Sequence, residues 1–338
     1  MDHSSGEHGT DPAAPRLLVR EALLLVAFLP IIAGLGSVVG RVFSRRGPIP
    51  AGTEGVAAAR PEGGVVGRPG VPSGSSSPVA MLLAWGGGQY AVPLAYLAAI
   101  TGAELATTFV DALLGVILHV LILAVLILHA SAVPDQPLHK LLVALSLAPL
   151  VRILSLSFPL EGVDLVYWYA IIAAPLLVAI MYVAGTIGLK REELGLTVRA
   201  WRFQALVASS GLAFGIVEYL ILKPEPLIAH LRLESFLIPA VILLVGTGLV
   251  EELAFRGVMQ SAAAAALGKG ALLYVATVFA VLHVGYRSPL DVAFVFCIGL
   301  FYGWAVAKSR SIAGVAVSHG LANIVLFLVV PFTAIGSP

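Results

Sequence analysis

Residues 237–260 read LIPAVILLVGTGLVEELAFRGVMQ. The fourteen residues from Leu237 to Val250 carry no ionisable side chain. Apolar residues follow one another without the alternation of period 2 that a half-buried or barrel strand requires. Runs of this kind, each about the length that a ~30 Å hydrocarbon core demands of a helix, recur from Ala22 almost to the C-terminus. The composition agrees: of 338 residues, 59% are hydrophobic and 12% charged, and the mean hydropathy is +0.98. An average soluble domain carries about 25% charged residues. A soluble enzyme and a membrane β-barrel are both excluded, and the predicted fold is an all-α, polytopic transmembrane bundle of about 8–10 helices.

The apolar runs predict helices over 21–43, 79–100, 105–130, 139–159, 163–188, 203–222, 236–265, 270–285, 289–308 and 311–333. Between the first two lies 47–78, where 18 of 32 residues are Gly, Pro or Ser, a composition that cannot bury a core and reads as a flexible linker. The chain therefore divides into an N-terminal tail and anchor helix (1–46), the linker (47–78), N-terminal transmembrane helices (79–189) and a C-terminal helix bundle (190–338). The first apolar run follows a polar tail and lacks a small-residue cleavage pattern, so it is expected to be a retained anchor. Placing the loop of Lys190, Arg191, Arg199 and Arg202 in the cytoplasm assigns 13 Lys and Arg to that side and five to the other, as the positive-inside rule requires. The expected location is a cell membrane, crossed many times, of the bacterial inner or plasma type.

Net charge is +1, from 20 Lys+Arg and 19 Asp+Glu. No basic surface points to nucleic acid; the partner expected from composition is the lipid bilayer. The single cysteine, Cys297, excludes an internal disulfide and a cysteine-rich metal site.

Ionisable groups inside hydrocarbon cost roughly 2.5 to 3.5 kcal/mol each on insertion scales, which marks them as functional candidates. Three segments concentrate them. Leu249–Gly257 holds Glu251, Glu252 and Arg256; Phe279–His283 ends in a histidine; Ser318–Asn323 holds His319 and Asn323. Glu252 and Arg256 are four apart, share a helix face and are expected to pair. Glu251 is rotated about 100° from Glu252 and faces a different neighbour. His319 and Asn323, and likewise Phe279 and His283, lie one turn apart. A carboxylate and an imidazole to activate water, with donors for an oxyanion, make a set suited to hydrolysis. No serine or cysteine is placed beside a base, so an acyl-enzyme is not expected. Other polar groups of the spans include Asp111, His119, His129, Arg152, Asp164 and Glu218. They read as structural, with Asp111 and Arg152 able to pair and Glu218 able to line a substrate cavity.

The order Glu-Glu-x-x-x-Arg, Phe-x-x-x-His, His-x-x-x-Asn on successive membrane helices resembles the CPBP intramembrane proteases, which include the type II CAAX prenyl endopeptidases and bacteriocin-processing relatives. The resemblance covers about 190–333 and includes Glu193–Leu196 before the core. It implies that Glu251 is the general base with His283 as its partner, that His319 and Asn323 stabilise the oxyanion, and that Glu252 belongs to the catalytic group. Arg256 and Phe279 then support it. The family has been described both as glutamic and as metalloproteases. A zinc ion, if present, would take Glu251, His283 and His319, although no His-Glu-x-x-His helix occurs. The implied function is an intramembrane endopeptidase that hydrolyses a peptide bond in a membrane-associated protein or peptide substrate through activated water, in CAAX-type processing or in trimming of C-terminal sorting tails or leaders. The alternative is a non-catalytic transporter or immunity/scaffold protein whose polar cluster binds an ion or partner. A transporter is disfavoured by the lack of an internal repeat. Gly-x-Ser-Gly and Gly-x-Gly-Asp, the signatures of rival membrane proteases, are absent from the sequence.

Overall fold

The computed structural model describes residues 89–133, 137–158 and 160–333. The anchor expected over 21–43, the linker over 47–78 and the start of the helix expected over 79–100 lie outside the described residues. Those described form helices and no strands. Eight helical stretches are long and apolar enough to cross a membrane, so the protein is a multi-pass membrane helix bundle.

In chain order the helices are α1 (Ala91–Phe109), α2 (Ala112–Ala132), α3 (Pro137–Leu145), α4 (Leu147–Ser157), α5 (Leu165–Thr186) and α6 (Trp201–Leu222). The stretch Leu233–Tyr286 follows, 54 residues long. It contains α7 (Leu233–Ile242), a π-helical turn Leu243–Leu249, α8 (Val250–Glu252), a second π-helical turn Leu253–Met259, α9 (Gln260–Leu267) and α10 (Ala271–Val281). As one straight helix it would extend about 80 Å at 1.5 Å per residue, far beyond a bilayer core. It folds back at Gly268–Gly270, where Gly268 takes a φ of 54°. Next come α11 (Pro289–Ser309) and α12 (Ala313–Ile324), the latter continued by a π-helical turn Val325–Val329.

The second and third expected helices have shifted boundaries. Helix α1 starts beyond the glycines at 86–88 and accommodates Pro93 in its first turn, where a missing N–H costs nothing. It then runs through the expected 101–104 loop to Phe109. Asp111 therefore lies in the turn, where its carboxylate accepts a hydrogen bond from Leu114 N (2.9 Å) and caps α2. The helix expected over 139–159 is broken at Ser146 into α3 and α4.

Hydrogen bonds between distant turns sort the helix ends onto two faces. On one, Tyr90 donates to Leu267 O (3.2 Å), Ile312 N to Gly195 O (3.0 Å) and Ser261 to Glu193 O (2.7 Å). On the other, Arg287 donates to Thr108 O (2.7 Å) and Leu227 N to Phe327 O (3.2 Å). The first face carries Lys140, Lys190, Arg191, Arg199, Arg202, Lys269, Lys308 and Arg310, whereas the second carries only Lys223, Arg232 and Arg287 among the described residues. That asymmetry agrees with the expected orientation. Leu113, Leu128, Val178 and Leu206 are exposed on the outer helix surfaces, where lipid would cover them.

Helix α12 is wedged between α6 and the turn Leu243–Leu249. Small residues allow this approach: a Cβ on Gly248 would collide with Ala316 O and Gly320, and one on Gly211 with the backbone of Ser318. Gln204 Oε1 accepts from Gly314 N (2.6 Å), and Tyr302 donates to Ser318 Oγ (2.9 Å). His319 is thereby carried to the level of Glu251 and Glu252.

Candidate functional site

The two π-helical turns flank Val250–Glu252 directly. Such bulges shift the side-chain register of a helix and are frequent at functional sites. Glu251 and Glu252, about 100° apart around the axis of Val250–Glu252, enter different surroundings. Glu252 is fully buried; its Oε1 accepts from Arg256 Nη1 (3.0 Å) and His319 Nδ1 (2.9 Å). Arg256 is 1% exposed, and its guanidinium lies 4.2 Å from the Phe279 ring centroid, with the Tyr302 and Phe255 rings at 5.6 and 5.9 Å. Charge and aromatic faces thus offset its desolvation.

Glu251, by contrast, retains 27% exposure of its side chain, and its Oε2 stands 3.9 Å from His319 Nε2. It lines a cavity of about 70 Å³ together with Glu218, Thr247, His283, His319 and Asn323. Roughly 10–15 Å³ of such space holds one water, so several fit. His283 Nδ1 donates to Phe279 O (2.8 Å), which leaves Nε2 as its second ring nitrogen for other contacts. Phe279 packs on His283 (4.8 Å between centroids) and edge-on to His319 (6.0 Å). Asn323 Nδ2 donates to Thr247 Oγ1 (2.8 Å), which donates to Leu243 O (2.5 Å). The Thr247 hydroxyl is therefore committed to orienting the amide.

Four of the five expected catalytic residues, Glu251, His283, His319 and Asn323, are brought together on the cavity wall. Glu252 stands behind it, in contact with His319. Arg256 and Phe279 form the support, and Phe279 also reaches the wall. Glu218, read as a possible cavity residue, lies there too. Tyr169, Thr247 and Tyr286 also line the cavity, and no motif signals them: Tyr169 arrives from α5, whereas Thr247 stands one turn before Glu251 and Tyr286 three residues after His283.

Asp111 and Arg152 do not pair. Arg152 Nε is instead 2.7 Å from Glu104 Oε1, which is 3.1 Å from His119 Nε2. His129 meets Tyr96 (2.9 Å). The fit of zinc to Glu251, His283 and His319 is poor as these side chains stand: among the described residues, no group of three or more His, Cys, Asp or Glu is disposed to hold a metal ion.

Residues 233–325 match the family model described as type II CAAX prenyl endopeptidase Rce1-like. No curated protein and no solved structure matches the chain. The matched segment spans every motif residue from Glu251 to Asn323 and the cavity wall they build. Over residues 233–325, then, the chain is similar to the Rce1-like type II CAAX prenyl endopeptidases, a family of membrane proteases, and the resemblance read from its three motifs is borne out.

Proposed function

We propose that the protein is an intramembrane endopeptidase that hydrolyses a peptide bond in a membrane-associated protein or peptide, as in CAAX-type processing or the trimming of a C-terminal sorting tail or leader. The observation that carries this reading is the placement of Glu251, His283, His319 and Asn323 on one cavity wall within the bundle, with Glu252 and Arg256 packed behind them. A purely scaffolding ion pair would call for no such cavity.

In the proposed reaction a water in the cavity gives a proton to Glu251 as its oxygen attacks the scissile carbonyl carbon. His283 orients that water through Nε2. The negative charge developing on the carbonyl oxygen is met by His319 Nε2–H and the Asn323 amide. Because Nδ1–H is directed at Glu252, an Nε2–H donor in this scheme requires His319 as imidazolium, whose charge Glu251 and Glu252 flank. Glu251 then passes its proton to the leaving nitrogen as the C–N bond breaks, and an acid and an amine are released. Glu252 is a positioning residue in this scheme, acting through His319, as Arg256 acts through Glu252. The mechanism is of the glutamic type. No step runs through zinc, and activity is expected to survive prolonged chelation.

The test is cleavage in proteoliposomes of a panel of peptides with one apolar membrane anchor and varied C-terminal tails, with both product ends read by mass spectrometry. New internal termini from the wild-type protein support the proposal; absence of any cleavage across the panel contradicts it.

A further inference from the structure

A second cavity of about 200 Å³ adjoins the first and shares Glu251, His283, Phe279, Tyr169 and Tyr286 with it. The catalytic base therefore stands on the partition between two chambers. Most of the remaining wall of the second is apolar, including Val151, Ile172, Leu176 and Leu282, but it also contains Arg152.

Arg152 is held from behind. Its Nε lies 2.7 Å from the fully buried Glu104, whose Oε1 is shared with His119. That contact occupies one edge of the guanidinium. Among the described residues the ion pair with Glu104 runs through Nε alone, and the side chain keeps 18% exposure. Nη2 stands beside the turn after His283, where a Cβ added to Gly285 would come within 3.7 Å of it. Arg256 is the instructive contrast, at 1% exposure and covered by aromatic rings. A guanidinium kept only to neutralise Glu104 would be expected to close over in the same way. An open pair of N–H edges in an apolar chamber is suited to two parallel hydrogen bonds with a carboxylate.

We propose that Arg152 anchors a carboxylate of the substrate, carried by the part of the peptide that fills the second cavity. This rests on the endopeptidase reading above and narrows it to substrates with an anionic group within a few residues of the scissile bond. Two sources present the same chemistry: the free C-terminus of a short leaving fragment, or an acidic side chain near the bond. Glu104 and His119 are positioning residues for this anchor.

The experiment measures binding to full-length Glu251→Gln protein in detergent, so it does not depend on turnover. The probes are a fluorescein-labelled apolar hexapeptide as the free acid, the same peptide as the C-terminal amide, and the amide with a glutamate at the penultimate position. Because Arg152→Gln alone would strand the Glu104 charge, the comparison protein carries Glu104→Gln and Arg152→Gln together. The free acid is expected to bind at least about tenfold tighter than the amide, the size of one charged hydrogen-bonded contact. That preference should disappear in the double variant. Rescue of the amide by the added glutamate assigns the side-chain source, and failure to rescue assigns the terminal one. Equal binding of acid and amide, binding of neither, or a preference that survives in the double variant overturns the proposal. Loss of the protease reading would show separately, as absence of cleavage by the wild-type protein.

Discussion

The molecule contains two buried clusters of the same composition, one carboxylate, one arginine and one histidine, and they are built differently. Glu252, Arg256 and His319 meet within the family-matched segment: Glu252 and Arg256 are one turn apart on the stretch that includes α8, and α12 adds His319. Glu104, Arg152 and His119 come from α1, α4 and α2, outside that segment. In the first cluster the arginine is sealed under Phe279 and the histidine faces the cavity; in the second the arginine faces a cavity and Glu104 and His119 are sealed. The same three groups thus aim either an imidazole or a guanidinium. Which one reaches the cavity depends on which is left uncovered.

The largest expected effect is on the sealed arginine. Arg256→Met leaves Glu252 buried beside His319 alone and is expected to cost about 3–5 kcal/mol, seen as a large fall in the thermal midpoint in detergent. Glu104→Gln should cost less, about 2 kcal/mol, because the partly exposed Arg152 can recruit water or an anion. If the two costs are equal, the distinction between a sealed and an open arginine fails. Phe279→Leu keeps apolar volume but removes the ring under Arg256, for about 1–2 kcal/mol. Its cleavage rate should fall as well, since the same ring supports His283 and His319. Asp111→Ala removes only the α2 cap, for about 0.5–1 kcal/mol. It should leave cleavage unchanged; a changed rate would tie the outer α1–α2 turn to the site.

The contrast also explains what the sequence made visible. The Glu252–Arg256 pair is legible because i,i+4 spacing fixes a shared face whatever the tertiary fold. His319, 67 positions away, could be joined to it only through the ordered motifs of a family. Glu104 is hidden in the sequence because a helix ending at residue 100 leaves it in an expected loop. Once α1 is seen to run to Phe109, Glu104 lies inside the bundle and Asp111 moves out to the turn. No local pattern announces the π-helical turns around Val250–Glu252; α12 packs against the first of them and α5 against both. Fold class followed from uninterrupted apolar runs, and most of the candidate site from charges that hydrocarbon makes costly. The second cavity did not, because it needs residues of α4 and α5 beside α10, and no spacing encodes that contact.

The proposed reaction depends on Glu251 to activate the attacking water. That role is tested by the cleavage rate of wild-type and Glu251→Gln protein, reconstituted side by side with a substrate identified from the tail panel. The substitution keeps size and removes the base. A loss of at least about 10²-fold in rate, with an unchanged thermal midpoint, is predicted. Cleavage at the wild-type rate by a folded Glu251→Gln protein would contradict the assignment.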